Sequence, residues 1–152
     1  MLVAQRVNYS ITCVLLLISL AQCRQRESEL SPQIASLVGT WRLVAPDSTY
    51  KTILTIELDT ANPPHDITPL LANGQSAINA YTLRLFAAID GTMSSESWST
   101  TEIAGAQTAM AFEQTYFRNL RAVVRYQMTP ENRLYLYHGG SQPRVLTYEK
   151  VR

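Results

Sequence analysis

The side chains in this chain that could act as acid, base, nucleophile or metal ligand are few: two histidines, two cysteines and 12 carboxylates among 152 residues. His138-Gly139-Gly140-Ser141 has the composition of the oxyanion loop of esterases, but no G-x-S-x-G elbow supplies a nucleophile. That run therefore reads as a hairpin turn. His65 follows two prolines, and no pattern assigns a carboxylate partner to it or to His138, so neither is expected to be a general base. Asp90, Glu96, Glu102 and Glu113 do not form the pair that glycoside hydrolysis requires. They are expected at a turn, on a strand surface, before a helix and on a helix surface. The two cysteines and two histidines are not expected to form a zinc cluster, and no carboxylate run has calcium-loop spacing. The expectation is a protein with no enzyme activity, no cofactor and no metal.

Aromatic residues offer more. Tyr126, Tyr135, Tyr137 and Tyr148 all fall on the last three expected strands and form the candidate binding face, for a protein partner or a small ligand. Tyr135 and Tyr137 lie on one face of their strand and Leu134 and Leu136 on the other, so one of these sets must look away from the core. The competing reading is an ordinary sheet surface with cross-strand pairing. Trp41 and Trp98 are expected as anchors of the core or its rim, and Asn79 as a side chain bonded to backbone at a turn. With 13 basic against 12 acidic residues the formal charge is +1, which lacks the excess a phosphate-binding surface needs. Nucleic acid is not an expected partner on that ground.

The elements that must position these residues are mostly strands. Residues 38–44 alternate apolar and polar positions, as do residues 50–58. Residues 59–66, with two adjacent prolines, read as a loop. Residues 67–71 read as a short edge strand, because Pro69 cannot donate to a ladder, with a turn following at Asn73-Gly74. Residues 81–89 alternate up to Asp90-Gly91, a strong hairpin signal, and residues 92–100 return. From 106 to 122 the period becomes helical: Ala109, Phe112, Tyr116 and Leu120 share a face that Ala106, Met110 and Phe117 widen. Strands follow at 123–128, 133–138 and 144–149. The fold class is α+β: a strongly curved antiparallel sheet or partly open barrel packed around one helix.

Residues 1–22 carry one charge, Arg6, and an apolar stretch from Ile11 to Ala21 that is short of the ~20 residues a membrane-spanning helix needs. This is the pattern of a secretory signal. Its end, Leu20-Ala21-Gln22-Cys23, resembles the lipobox of bacterial lipoproteins, with Gln22 where a small residue is usual. That resemblance implies cleavage before Cys23 and a diacylglycerol on its thiol, which would hold the protein at a membrane. The alternative is a conventional cut near Ala21 with Cys23 an incidental thiol. Loss of Arg6 and Cys13 with the signal leaves basic and acidic residues at parity and no pair of cysteines for a disulfide. Residues 23–36 are expected to form a flexible tether and residues 37–152 the domain.

Gly39-Thr40-Trp41-Arg42-Leu43, then Gly74 through Asn79 to Tyr81, then Thr101-Glu102-Ile103-Ala104-Gly105 with Met110, Glu113 and Phe117, occur in the order of three segments of the META domain family. That family includes HslJ-like heat-shock lipoproteins, and the chain resembles it over residues 37–150. Leu134-Tyr135-Leu136 and Leu146-Thr147-Tyr148 are similar to its closing pair of strands. Many members have a cysteine before the central asparagine and another at the end of the third segment; here Ile78 and Gly105 stand there. The joint loss implies that those cysteines form a structural bridge where present, worth ~2–4 kcal/mol. Functionally the resemblance implies a non-enzymatic, lipid-anchored protein of the periplasm or outer membrane with a loose link to envelope stress tolerance. Two other readings remain: a periplasmic carrier of a small hydrophobic ligand, with a cavity beside the helix, and a protein-binding inhibitor or assembly factor using the tyrosine face.

Overall fold

β1 (Gly39–Ala45) buries Trp41 and Leu43 and turns Arg42 to solvent, and this two-residue alternation recurs through the sheet. The computed structural model describes residues 30–62, 66–139 and 144–151. β2 (Ile53–Leu58) buries Leu54 and Ile56, and β4 (Ala80–Ala88) buries Tyr81, Leu83, Leu85 and Ala87. β5 (Met93–Thr100) buries only Met93. After the helix come β6 (Val123–Met128), β7 (Arg133–His138) and β8 (Arg144–Lys150). All eight strands form one antiparallel sheet in the order β5-β4-β3-β2-β1-β8-β7-β6, so the first and last strands pair at its centre.

The outer strands nearly close the sheet into a barrel. Thr92 bridges Arg125, the Tyr126 amide donates to the Gly91 carbonyl at 2.8 Å, and the Tyr126 hydroxyl donates to the Ala88 carbonyl at 2.8 Å. These contacts occupy part of the edge that an open sheet exposes. It depends on the hairpin expected at Asp90-Gly91: Gly91 has φ +88°, and the Asp90 carboxylate accepts from the Thr92 amide at 2.8 Å.

β3 (Ile67–Gln75) differs from expectation, being longer and interior, between β2 and β4. Pro69 is tolerated because its missing N–H faces the end of β2. There the Asp59 amide still donates to the Pro69 carbonyl, while the Asp59 carbonyl accepts instead from Asn62 in the departing loop. Asn73-Gly74 is no turn; these residues pair with Thr55 and Leu54 on one side and with Thr82 and Tyr81 on the other. Gly74 is required by close approach. A Cβ there would collide with the Ile53 carbonyl and meet the Tyr81 hydroxyl at 2.6 Å.

The start of the domain is also corrected. Within the segment expected as tether, Pro32–Ala35 form a single helical turn (α1), and Ile34 is buried in the core beside Leu37. Its burial removes apolar surface that a tether would leave in water. Trp41 locks this entry, its indole N–H donating to the Leu37 carbonyl at 2.8 Å under the ammonium group of Lys150.

The long helix α2 (Gln107–Arg121) matches the expected segment and buries Ala109, Glu113, Tyr116, Phe117 and Leu120 against the sheet. Arg118 and Arg121 lie in its last turn, where positive charge suits the helix dipole. Gly74→Ala is expected to destabilise the protein by about 1–3 kcal/mol in urea unfolding, because backbone and the Tyr81 ring must both shift. Unchanged stability would contradict the interior placement of Gly74.

Candidate functional site

The four tyrosines of the expected binding face separate in the fold. Tyr148 pairs with Leu134 and Tyr126 with Leu136, and all four of these residues are buried. Tyr135 and Tyr137 are on the outer surface, half-buried, with ring centroids 6.5 Å apart. The register shift between Val123 and Arg125 explains Tyr126: an extra residue in β6 changes the alternation and brings Val123 and Tyr126 to the same interior face. A shared face of Tyr126, Tyr135, Tyr137 and Tyr148 is therefore not formed, and only Tyr135 and Tyr137 are available to an outside partner.

Glu113 is the larger correction. It was expected on the helix surface but is 5 % exposed, and it accepts from the amides of Ile78 at 3.1 Å and Asn79 at 2.8 Å. Its other oxygen accepts from Asn79 Nδ2 at 2.6 Å. Asn79 Oδ1 in turn accepts from Thr101 Oγ1 and from the Ile103 amide, both at 2.7 Å, and Nδ2 also donates to the Ile103 carbonyl at 3.2 Å. Every hydrogen-bonding position of the Asn79 amide is used. The backbone bonding expected of Asn79 is present, and through Glu113 it extends to the helix.

Next to this cluster a chain of phenols crosses the interior. Tyr148 donates to the Tyr116 oxygen at 3.1 Å, Tyr116 meets Tyr81 at 2.7 Å, and Tyr81 donates to the Ile53 carbonyl at 2.9 Å. Because Tyr81 spends its proton on Ile53, Tyr116 must be the donor to Tyr81. Burial raises all three pKa values above the usual phenol range, and in Tyr116 the neighbouring Tyr148 and Tyr81 push the same way. Trp98, half-buried at the rim, stacks on Tyr81 at 5.5 Å, with Arg121 5.1 Å from its ring.

A cleft of about 430 Å³ opens on the far side of Tyr116, between α2 and the 46–50 loop. Leu43, Leu146 and Tyr116 are its buried floor. Phe112 and Tyr50 form an aromatic pair at 5.1 Å along one wall, and the Tyr50 hydroxyl donates to Thr108 Oγ1 at 3.2 Å, tying the loop to the helix. Asp47 stands on the rim; hydrogen bonds from Thr49 hold its carboxyl below the usual carboxylate range.

The remaining candidates are dispersed. His138 is buried at the end of β7, where desolvation, helped by Arg144, holds its pKa below the usual imidazole range. Glu96 and Glu102 are exposed. Cys23, His65, Gly140 and Ser141 lie outside the described residues. Among the described residues no group of three or more His, Cys, Asp or Glu could hold a metal, and no helix is long and apolar enough to cross a membrane. In comparisons with known proteins, no family model, no curated protein and no solved structure matches the chain.

The phenol chain sets a pH dependence. The unfolded chain ionises its tyrosines near pH ~10, whereas the folded protein keeps these three protonated. The stabilisation is complete below ~10 and is lost as pH rises toward the elevated folded values. Urea unfolding is expected to show a fall of about 1.4 kcal/mol per pH unit for each of the three phenols above pH ~10. Tyr148→Phe is expected to remove about a third of that slope, and an unchanged slope would contradict its burial as a neutral phenol.

Proposed function

We propose that the protein is a non-enzymatic, lipid-anchored envelope protein of the META domain type, attached through Cys23. The observation that carries this reading is the contact between positions 78 and 105. A Cβ built on Gly105 would run into the Ile78 side chain, reaching Cγ1 at 2.9 Å. These are the two positions at which many members of the family it resembles have cysteines, and a disulfide requires Cβ atoms ~3.5–4.5 Å apart. Isoleucine packed over glycine fills the space that a bridge would occupy. The curved sheet with one long helix and the Asn79 cluster at the family's central asparagine support the same reading.

The cleft beside α2 favours a second reading, a carrier of a small apolar ligand. Its volume and its apolar floor with a polar rim fit that role. A partner-binding role at the sheet surface would draw on Tyr135 and Tyr137 but not on Tyr126 or Tyr148, which are buried.

Lipid anchoring is tested by the intact mass of the protein recovered from membranes of a bacterial host, beside Cys23→Ala. The expected mass is that of the chain cut before Cys23 plus acyl groups, and the variant should lack this species. An unmodified chain in the soluble fraction would overturn the anchored reading and raise the carrier reading above it.

A further inference from the structure

We propose that the cleft between α2 and the 46–50 loop binds a small amphipathic cation, an aromatic or short aliphatic body bearing one ammonium group. The proposal rests on the carrier reading and adds the charge of the ligand to it. Leu43, Leu146 and Tyr116 give the body an apolar seat, and Phe112 and Tyr50 give it ring surfaces. Among the described residues that line the cleft, Asp47 is the one charged side chain, with no lysine or arginine beside it.

Charge complementarity then selects the ligand. An anionic amphiphile would meet the Asp47 carboxylate with no cation to pair its own head. A neutral apolar ligand would partly desolvate Asp47 and return nothing for it. An ammonium group at the rim pairs with Asp47, whose hydrogen bonds from Thr49 leave further acceptor capacity on the carboxylate. It also faces the negative surface of the nearby aromatic rings. Tyr50 bonded to Thr108 holds the wall in place before the ligand arrives, which lowers the ordering cost of binding.

The test is calorimetric titration of the protein as isolated from its host, in nanodiscs if it is lipidated, with empty nanodiscs as control. The probes are 4-phenylbutylammonium, 4-phenylbutanol and 4-phenylbutyrate, which share one body and differ in charge. The ammonium probe is expected to bind about tenfold more tightly than the alcohol. Asp47→Asn, which can still accept from the Thr49 amide, should erase that difference. Ala111→Trp, introduced at an exposed helix position that lines the cleft, should block every probe. Equal affinities for ammonium and alcohol, or tighter binding of the butyrate, would overturn the cation assignment and leave the carrier reading standing. If no probe binds saturably, both are overturned.

Discussion

The structure depends on one buried carboxylate. Glu113 lies on the inward face of α2 and accepts from two consecutive backbone amides and one side-chain amide of the turn between β3 and β4. A carboxylate withdrawn from water is costly unless donors compensate it, and here three donors at 2.6–3.1 Å do so, two on one oxygen and one on the other. The same bonds satisfy the Ile78 and Asn79 amides, which face away from any ladder partner. Through Asn79 the constraint reaches Thr101 and Ile103, so the approach to the helix, the helix itself and the central turn share one cluster.

With α2 fixed there, the other features follow from its rotation and height. Tyr116 comes within hydrogen-bonding distance of Tyr81 on β4 and Tyr148 on β8, which belong to the two halves of the sheet. Phe112, one turn earlier, reaches the ring of Tyr50 and forms the wall of the cleft. The Asp90-Gly91 hairpin and Tyr126 close the sheet through a second set of contacts, beside the end of the helix, where Ser95 Oγ donates to the Arg121 carbonyl. Two polar attachments therefore tie the helix and the hairpin to a largely apolar and phenolic interior, and the cleft lies between the helix and the 46–50 loop.

Elements with a strong local signal were legible in the sequence. The β4–β5 hairpin, α2 and the three closing strands fall where alternation, helical period and turn residues place them. β3 was obscured because Pro69 and Gly74 argue locally for an edge and a turn, whereas both are explained by neighbours distant in sequence: the end of β2 and the Tyr81 ring. Glu113 was hidden for the same reason, since a glutamate among polar helix residues looks solvated until its partners 34 and 35 positions away are in place. The tyrosines divided according to an extra residue in β6 that periodicity alone does not reveal. Pairing Tyr148 with Leu134 in the expected closing hairpin would have assigned it to the interior.

The central claim is that Glu113 and Asn79 act as one unit. A double-mutant cycle with Asn79→Ala, Glu113→Ala and the double variant, followed by urea unfolding, measures their coupling directly. A coupling of about 1–3 kcal/mol is the predicted result, with the second substitution costing far less once the first is present. Additive losses, within about 0.5 kcal/mol of the sum of the single variants, would contradict it. The helix would then be held by its apolar face and by the Tyr116 and Thr108 hydrogen bonds, without a coupled Glu113–Asn79 unit.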